Sequence, residues 1–258
     1  MKKILGALIL ILVCIFMLLT YKMYNYYAPI QLQEPFLLNT HNDDDTLQIA
    51  FIGDSWAYNH QEHNCHIEQI LEDSINQPVR VLSYGICGST SKEIYESMFR
   101  DNDLSRFLQK HNFSYCIISA GINDTYKKMS TSYYKKSMDG IIQLLLANHI
   151  HPVIMEIPDY HIQKAYERQT DSKKILRKIS MIVNKTPLDC KQLFRKALDD
   201  FIQEKKYSDK VNIIRYQSWN NNYLNDLNTL YLKDGMHLNE KGYAKLDSVI
   251  AHTIITLH

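Results

Sequence analysis

Five short apolar segments, separated by longer helical patterns, constrain the fold of this chain more than any other feature. Each segment is rich in β-branched and aromatic residues and apolar at consecutive positions, as expected for a strand covered on both faces. The candidates are Leu47–Gly53, Val79–Tyr84, Tyr115–Ala120, Pro152–Ile157 and Val211–Arg215. Strands that alternate with helices form a parallel sheet, so the sequence predicts a layered α/β domain.

The N-terminal segment is apolar enough to lie in a membrane. Lys2 and Lys3 precede an unbroken apolar run over Ile4–Leu19, and a cluster of tyrosines that includes Tyr24 follows it. A helix of about 16 to 20 residues, at ~1.5 Å per residue, nearly spans a hydrocarbon core of ~30 Å. A secretory signal peptide has a similar length. The missing A-x-A cleavage pattern and the interfacial tyrosines favour a retained anchor or transmembrane helix over residues 1–27.

Basic residues predict the orientation of that anchor. Two lysines precede the run, Lys22 follows it, and no Lys or Arg occurs again until Arg80. Because positive flanks tend to stay in the cytoplasm, the bulk of the chain is expected to be extracytoplasmic, or secreted if the segment is cleaved. Residues 28–46 contain two prolines and the acidic triplet Asp43–Asp45, a composition typical of a solvated linker, so the folded domain is expected over residues 47–258.

Charge and cysteine content bear on two further questions: whether the chain binds nucleic acid and whether it forms disulfide bonds. The formal net charge is only +1, and no base-reading motif is present, so nucleic acid is not expected as a partner. Beyond Cys14 in the apolar run, four cysteines remain, which allows three disulfide pairings that the sequence cannot separate. Their spacing suggests no framework, so free buried thiols are favoured at the positions concerned: Cys65, Cys87, Cys116 and Cys190.

Polar clusters follow the predicted strands. Gly53-Asp54-Ser55 ends the first strand, a turn containing Gly88 follows the second, and Gly121-Ile122-Asn123-Asp124 follows the third. Asp234-Gly235-Met236-His237 comes just before the last helical pattern. Because ligands bind beyond the carboxyl ends of the strands in such sheets, all four clusters are expected at one edge.

The residue types in these clusters suit nucleophilic catalysis. A serine hydroxyl becomes a good nucleophile when a histidine takes its proton, so Ser55 and His237 form a candidate pair. Asp234 can hold the histidine tautomer and favour the imidazolium that forms. The backbone N–H groups of Ser55 and Gly88 and the side-chain amide of Asn123 are candidate oxyanion-hole donors.

These four clusters, in this order, resemble the SGNH, or GDSL-type, hydrolase family from about Gln48 to the C-terminus. The resemblance implies a flavodoxin-like three-layer α/β/α sandwich with a five-stranded parallel sheet. It implies Ser55 as nucleophile, Asp234 and His237 as its partners, and an oxyanion hole of Ser55, Gly88 and Asn123, with no cofactor and no metal.

Three features depart from common hydrolase patterns. Trp56 stands where the family name suggests leucine and is expected to alter the wall of the pocket. Gly85 competes with Gly88 for the position in the second block. The Gly-x-Ser-x-Gly pattern is absent, which argues against an ordinary α/β-hydrolase.

The resemblance implies carboxylic ester substrates cleaved through an acyl-serine intermediate. Together with the outward-facing anchor, this suggests O-acetyl esters on cell-envelope or extracellular glycans. An O-acyltransferase that passes the acyl group to an envelope polysaccharide would use the same triad. A non-catalytic envelope-binding module is the alternative from another class, and the intact set of site residues argues against it.

Two further patterns have more than one interpretation. His60, His63 and His66 are spaced by three, but no cysteine or acid completes a zinc set at recognised spacing, so metal binding is disfavoured. The segment over residues 159–210 carries a surplus of Lys and Arg. A solvated helical face explains this surplus, and a surface that meets anionic lipid or an acidic glycan is the alternative.

Overall fold

The computed structural model describes residues 2–38, 45–99 and 103–258, so Asp43 and Asp44 of the predicted acidic triplet lie outside the described residues. The strands are β1 Leu47–Gly53, β2 Val79–Gly85, β3 Tyr115–Ser119, β4 His151–Met155 and β5 Asn212–Ile214. These five parallel strands form one sheet in the order β2-β1-β3-β4-β5. This confirms the predicted α/β fold with a five-stranded parallel sheet.

Helices cover both faces of the sheet. The α-helices within the described ranges are α1 Lys2–Tyr27, α2 Ser55–His60, α3 Asn64–Ile75, α4 Ser91–Phe99, α5 Asp103–Lys110, α6 Ile122–Lys127, α7 Thr131–Ala147, α8 Ile162–Glu167, α9 Asp171–Asn184, α10 Lys191–Glu204, α11 Tyr223–Leu230 and α12 Glu240–Ile255. In one layer, α3 packs on α12 and on β2, and α12 also contacts β5. In the other layer, α7 contacts α4, α10 and β4, and α4 contacts α5.

Strand β1 lies at the centre of the core. All seven of its residues are buried, and four of them, Ile49 to Ile52, are fully shielded from solvent. Successive side chains of a strand point to opposite faces, so burial at every position requires helices on both sides. This explains why the strand shows a continuous apolar run instead of alternation.

Glycines at the ends of β1 and β2 allow neighbouring backbones to approach these strands closely. Gly53 and Gly85 are paired at the ends of β1 and β2. A Cβ on Gly85 would lie 2.0 Å from the backbone nitrogen of Tyr58 in α2, and one on Gly53 would lie 2.0 Å from the carbonyl oxygen of Ser119. Only glycine fits such close backbone approaches. The contacts place the start of α2, and with it Ser55, at the carboxyl edge of the sheet.

The N-terminal helix has the length and composition of a membrane span. Its Gly6–Tyr27 stretch contains an 18-residue window with a mean hydropathy of 2.3, and none of that window is buried. A signal sequence at this position has the same properties.

The described part of the predicted linker packs on the domain. Ile30 is buried, the backbone N–H of Gln33 donates to Tyr95 Oη at 2.9 Å, and that of Leu38 donates to Asn148 Oδ1 at 2.6 Å. Residues 28–38 are therefore held on the surface of the domain and do not form a free tether. The division into residues 1–27, 28–46 and 47–258 itself stays a prediction.

All five cysteines are free. Cys116 and Cys190 are buried as expected, whereas Cys65 and Cys87 are exposed, so the prediction of buried thiols was wrong for these two. Cys65 lies on the outer side of α3 and Cys87 lies in the turn after β2, where neither side chain meets the core.

Gly85→Ala should destabilise the domain because its new Cβ collides with the backbone of α2. We expect a loss of about 2 kcal/mol or more in the free energy of unfolding, measured by urea titration in detergent micelles. Gly88→Ala is the matched control, since no atom lies within 4 Å of its Cβ position and only its φ of +77° is unfavourable. Equal losses in the two variants would contradict the close approach of α2 and β2.

Candidate active site

Ser55, His237 and Asp234 form a continuous hydrogen-bonded line. Ser55 Oγ lies 2.8 Å from His237 Nε2, and His237 Nδ1 lies 2.5 Å from Asp234 Oδ2. The two ring nitrogens of the histidine thus face a hydroxyl on one side and a carboxylate on the other. This arrangement can move a proton from the serine to the ring while the carboxylate fixes the ring.

A closed loop holds the histidine and the aspartate. An antiparallel bridge joins Tyr231 to Leu238, and the backbone N–H of Leu232 donates to the carbonyl of His237 at 2.8 Å. Gly235, at the tip, has a φ of +67°, in the left-handed region that favours glycine. The loop can therefore fold back on itself and bring positions 234 and 237 to the same side.

Hydrogen bonds keep Asp234 ionised. Burial alone would raise the pKa of Asp234, but hydrogen bonds from the His237 ring and from the backbone N–H groups of Met236 and His237 bring the pKa below its ordinary value. The two backbone groups donate to Asp234 Oδ1 at 2.9 and 3.1 Å. A carboxylate that stays charged stabilises the imidazolium that would form beside it.

Asp54 fixes the start of α2, where Ser55 lies. It caps the N-terminus of α2 by accepting from the backbone N–H of Trp56 at 3.0 Å. Its carboxylate also accepts from Ser119 Oγ at 3.2 Å and from Asn123 Nδ2 at 3.5 Å. The side chain is fully buried, and this burial raises the pKa of Asp54 to about 6. One carboxylate thus connects the ends of β1 and β3 with the start of α6.

Asn123 lies where the third cluster was expected, in the first turn of α6 just after β3, and it is nearly buried. Its neighbour Asp124 accepts from the Ser91 hydroxyl at 2.6 Å and from the Ser91 backbone N–H at 2.8 Å. Burial raises the pKa of Asp124 to about 6. This contact ties the start of α4, which follows the turn containing Gly88, to the start of α6.

Gly88 and Gly85 have different surroundings. Gly88 lies in an exposed turn with a φ of +77° and open space around its Cβ position, whereas Gly85 is pressed against α2. The turn is attached to β1 because the backbone N–H of Ile86 donates to the carbonyl of Gly53 at 2.9 Å. Of the two glycines, only Gly88 has room for a ligand, so it remains the predicted oxyanion donor.

Trp56 does not line the pocket, which corrects the expectation from the sequence. Its side chain is fully buried and contacts Trp219 and Tyr243, with ring centroids 5.9 and 6.4 Å away. Adjacent residues on a helix point in different directions, so α2 can direct Ser55 to the site and Trp56 to the core.

Two of the three spaced histidines, His60 and His66, contact a buried carboxylate on another helix, while the ring of His63 stacks on Tyr243. His60 Nε2 lies 2.7 Å from Asp247 Oδ1, and His66 Nδ1 lies 3.3 Å from Asp247 Oδ2. Asp247 is on α12, far away in the sequence, so spacing alone could not reveal it. Among the residues that the structure describes, no group of three or more His, Cys, Asp or Glu side chains is placed to hold a metal.

Sequence reasoning placed Asp54 and Asp124 inside motifs but gave them no role. Both are fully buried carboxylates that fix neighbouring loops, through Trp56 and Ser119 in one case and Ser91 in the other. Their positions next to Ser55 and Asn123 in the sequence could have indicated this role. A carboxylate buried beside a candidate site residue has to accept hydrogen bonds, and those bonds fix the groups around it.

The sequence model of the GDSL-like lipase/acylhydrolase family matches residues 51–245, about three quarters of the chain. The chain belongs to this family. It is therefore an ester-hydrolysing serine hydrolase, and the resemblance drawn from the four clusters is confirmed.

Solved structures of other GDSL and esterase proteins share the fold. A lipase/acylhydrolase from Enterococcus faecalis superposes with a TM-score of 0.55 at 15% identity, covering 81% of this chain and 96% of its own. An acetyl xylan esterase, AlAXEase, gives 0.54 at 16% identity, covering 81% and 100%. The esterase EstA from Pseudoalteromonas sp. gives 0.52 at 14% identity, covering 83% and 100%. A comparison with curated protein sequences finds no match.

The raised pKa of Asp54 predicts a specific pH dependence of stability. The ordinary value is 3.8 and the folded value is about 6, so between these pH values the folded protein binds a proton that the unfolded chain releases. The contribution of Asp54 to the free energy of unfolding should therefore fall as the pH rises from about 4 to 7, by at most about 3 kcal/mol.

Urea unfolding of the parent and of Asp54→Asn across this range measures the effect. The stability of the parent relative to the variant should decrease with rising pH. Asp209→Asn, at an exposed carboxylate, is the matched control and should track the parent. A difference between the parent and Asp54→Asn that stays constant or grows with pH would contradict the burial of a carboxylate at this position.

Proposed function

We propose that this enzyme hydrolyses O-acetyl esters on cell-envelope or extracellular glycans through an acyl-Ser55 intermediate. The observation that carries the proposal is the line of hydrogen bonds from Ser55 Oγ through the His237 ring to Asp234, at 2.8 and 2.5 Å. This line of hydrogen bonds lies at the carboxyl edge of β1, where ligands bind in such sheets. Because the chain belongs to an ester-hydrolysing family, we expect esters to bind there.

Each step of the reaction has a candidate group. His237 Nε2 takes the proton as Ser55 Oγ bonds to the ester carbonyl carbon, and Asp234 stabilises the imidazolium. The tetrahedral intermediate collapses when the ring gives that proton to the departing alcohol oxygen. Water then attacks the acyl-serine with the same ring as base, and acetate leaves as the serine regains its proton.

Three donors are proposed for the oxyanion. Ser55 opens α2, so its backbone N–H lies in the first turn, where helical N–H groups have no partner within the helix. Gly88 offers a backbone N–H in an exposed turn, and Asn123 offers its side-chain amide. The amide nitrogen of Asn123 also faces Asp54, which orients it. Donors fixed before the reaction are worth most because they do not need to reorganise.

A cleft of about 590 Å³ beside the loop that carries Asp234 and His237 supports a glycan substrate. It meets that loop at Gly235, whose carbonyl accepts from Tyr223 Oη at 2.6 Å and from the backbone N–H of His161 at 3.3 Å. Acids, amides and aromatic rings in its lining match the hydroxyl groups and faces of a sugar. The lining includes Asp159, Tyr160, Asp189, Gln192, Asn221 and Tyr223. The likeness in fold to an acetyl xylan esterase supports acetyl as the acyl group.

Ser55→Ala and His237→Ala should each lower kcat/KM for p-nitrophenyl acetate by about 1000-fold or more, because each removes a group that forms or breaks a bond. The assay follows p-nitrophenol release by the full chain in detergent micelles. Ser218→Ala and His252→Ala, at exposed positions, are the matched controls and should keep the parent rate. Parental turnover in either site variant would refute the proposed nucleophile or base.

Asn123→Ala should lower kcat by about 100- to 1000-fold while KM changes much less, since an oxyanion donor acts in the transition state. Asn221→Ala, exposed at the rim of the cleft, is the control for loss of an amide. Thermal unfolding should show that both variants are folded. A folded Asn123→Ala variant with less than about a tenfold loss in kcat would remove Asn123 from the oxyanion hole.

A further inference from the structure

Helix α9, Asp171–Asn184, is attached to the domain through its polar side. Ser180 is buried, Arg177 lies over the Tyr126 ring at 5.2 Å and donates to the carbonyl of Lys127 at 3.3 Å, and Asn184 Nδ2 donates to the carbonyl of Lys128 at 2.7 Å. A surface helix normally does the reverse and turns its polar face to water.

The opposite side of α9 is apolar and open. Its large side chains recur at helical spacing and are exposed by between 38% and 78%: Ile175, Leu176, Ile179, Ile182 and Val183. Residues with this spacing lie on one face, so the five side chains form a continuous stripe. A contiguous exposed apolar patch marks a surface that binds something.

The neighbour of this stripe is the end of the N-terminal apolar helix. Tyr27 Oη, in the last residue of α1, hydrogen-bonds to Ser180 Oγ of α9. Lys92 Nζ secures the same end by donating to the carbonyls of Asn25 at 2.8 Å and Ala28 at 3.1 Å. A small cavity of about 240 Å³ between the two helices is lined by Met23, Tyr24, Tyr27, Ala28, Val183 and Asn184. The stripe is therefore next to the point where α1 would leave a bilayer.

The charges around the stripe are mostly positive. Asp171 is the single acid in α9 and its C-terminal cap, residues 171–185, against five basic residues. Of these, Lys173, Lys178 and Lys185 are exposed, whereas Lys174 is 3.7 Å from Asp171 and Arg177 lies on Tyr126. An apolar stripe with exposed lysines beside it matches the boundary between acyl chains and anionic headgroups.

We infer that α9 lies in the interface of the membrane that α1 spans, with its stripe among the upper acyl chains and its lysines at anionic lipid headgroups. The inference depends on α1 being a span and does not depend on the substrate. Two attachments, α1 and α9, then fix the rotation of the domain. Because α9 also contacts α6 through Lys127 and Lys128, and α6 begins at Asn123, the candidate active site keeps a defined height above the bilayer.

Depth-dependent fluorescence quenching tests this inference with the full chain. Ile179→Trp is reconstituted into phosphatidylcholine–phosphatidylglycerol vesicles whose acyl chains carry bromine. The native Trp56 and Trp219 are buried, and the parent protein supplies the background to subtract. Leu12→Trp, within α1, is the positive control, and Leu224→Trp, on α11 and 73% exposed, is the matched negative control.

We expect strong quenching for Leu12→Trp and Ile179→Trp, with Ile179→Trp quenched at least about twofold more than Leu224→Trp. Quenching of Ile179→Trp no greater than that of Leu224→Trp overturns the inference. So does an unquenched Leu12→Trp, because α1 would not span the vesicles. A third outcome would also overturn it: tryptophan emission of Ile179→Trp that is blue-shifted but not quenched, in a protein that elutes as a dimer. The stripe would then bind a second copy of the chain. Esterase activity plays no part in these readouts, so the proposed function is tested separately.

Discussion

The close approach of three backbones at the carboxyl end of β1 is the constraint on which the rest of the site depends. Gly53 and Gly85 leave no room for a Cβ, so β3 and α2 can pack directly against them. Ser55 therefore begins its helix at the edge of a sheet that is buried on both faces. The strand order β2-β1-β3 places the turns that carry Gly88 and Asn123 on either side of it. The loop that carries Asp234 and His237 reaches this edge from the C-terminal part of the chain.

The three carboxylates near the site differ in the direction of their pKa shifts. Asp54 and Asp124 are fully buried, and burial raises the pKa of each to about 6, so they are costly anions that are held by hydroxyl, amide and backbone donors. Asp234 is half-buried and has a lowered pKa because the His237 ring and two backbone N–H groups donate to it. The first two fix loops, and the third keeps a charge where an imidazolium would form. Depth of burial, set against the hydrogen bonds that each carboxylate accepts, thus separates Asp54 and Asp124 from Asp234.

The sequence predicted features that depend on local pattern or on motif order. Continuous apolar runs predicted the five strands, and four ordered clusters predicted the family. It could not predict contacts between distant positions, such as His60 with Asp247 or Tyr27 with Ser180, because spacing carries no information about them. It misplaced Trp56 because a motif names the residue but not the direction of its side chain. The apolar stripe of α9 resembles a core-facing face in the sequence, and only its packing shows which side is turned outward.

The central claim is that Ser55 is the nucleophile, activated by His237. Mass spectrometry of the full chain after treatment with a fluorophosphonate tests this most directly, because the reagent transfers its phosphonyl group to an activated serine oxygen and releases fluoride. The account predicts one adduct, on the peptide that contains Ser55, and slower labelling of His237→Ala by about 1000-fold. An adduct on another serine, or equal labelling rates in the parent and His237→Ala, would contradict it.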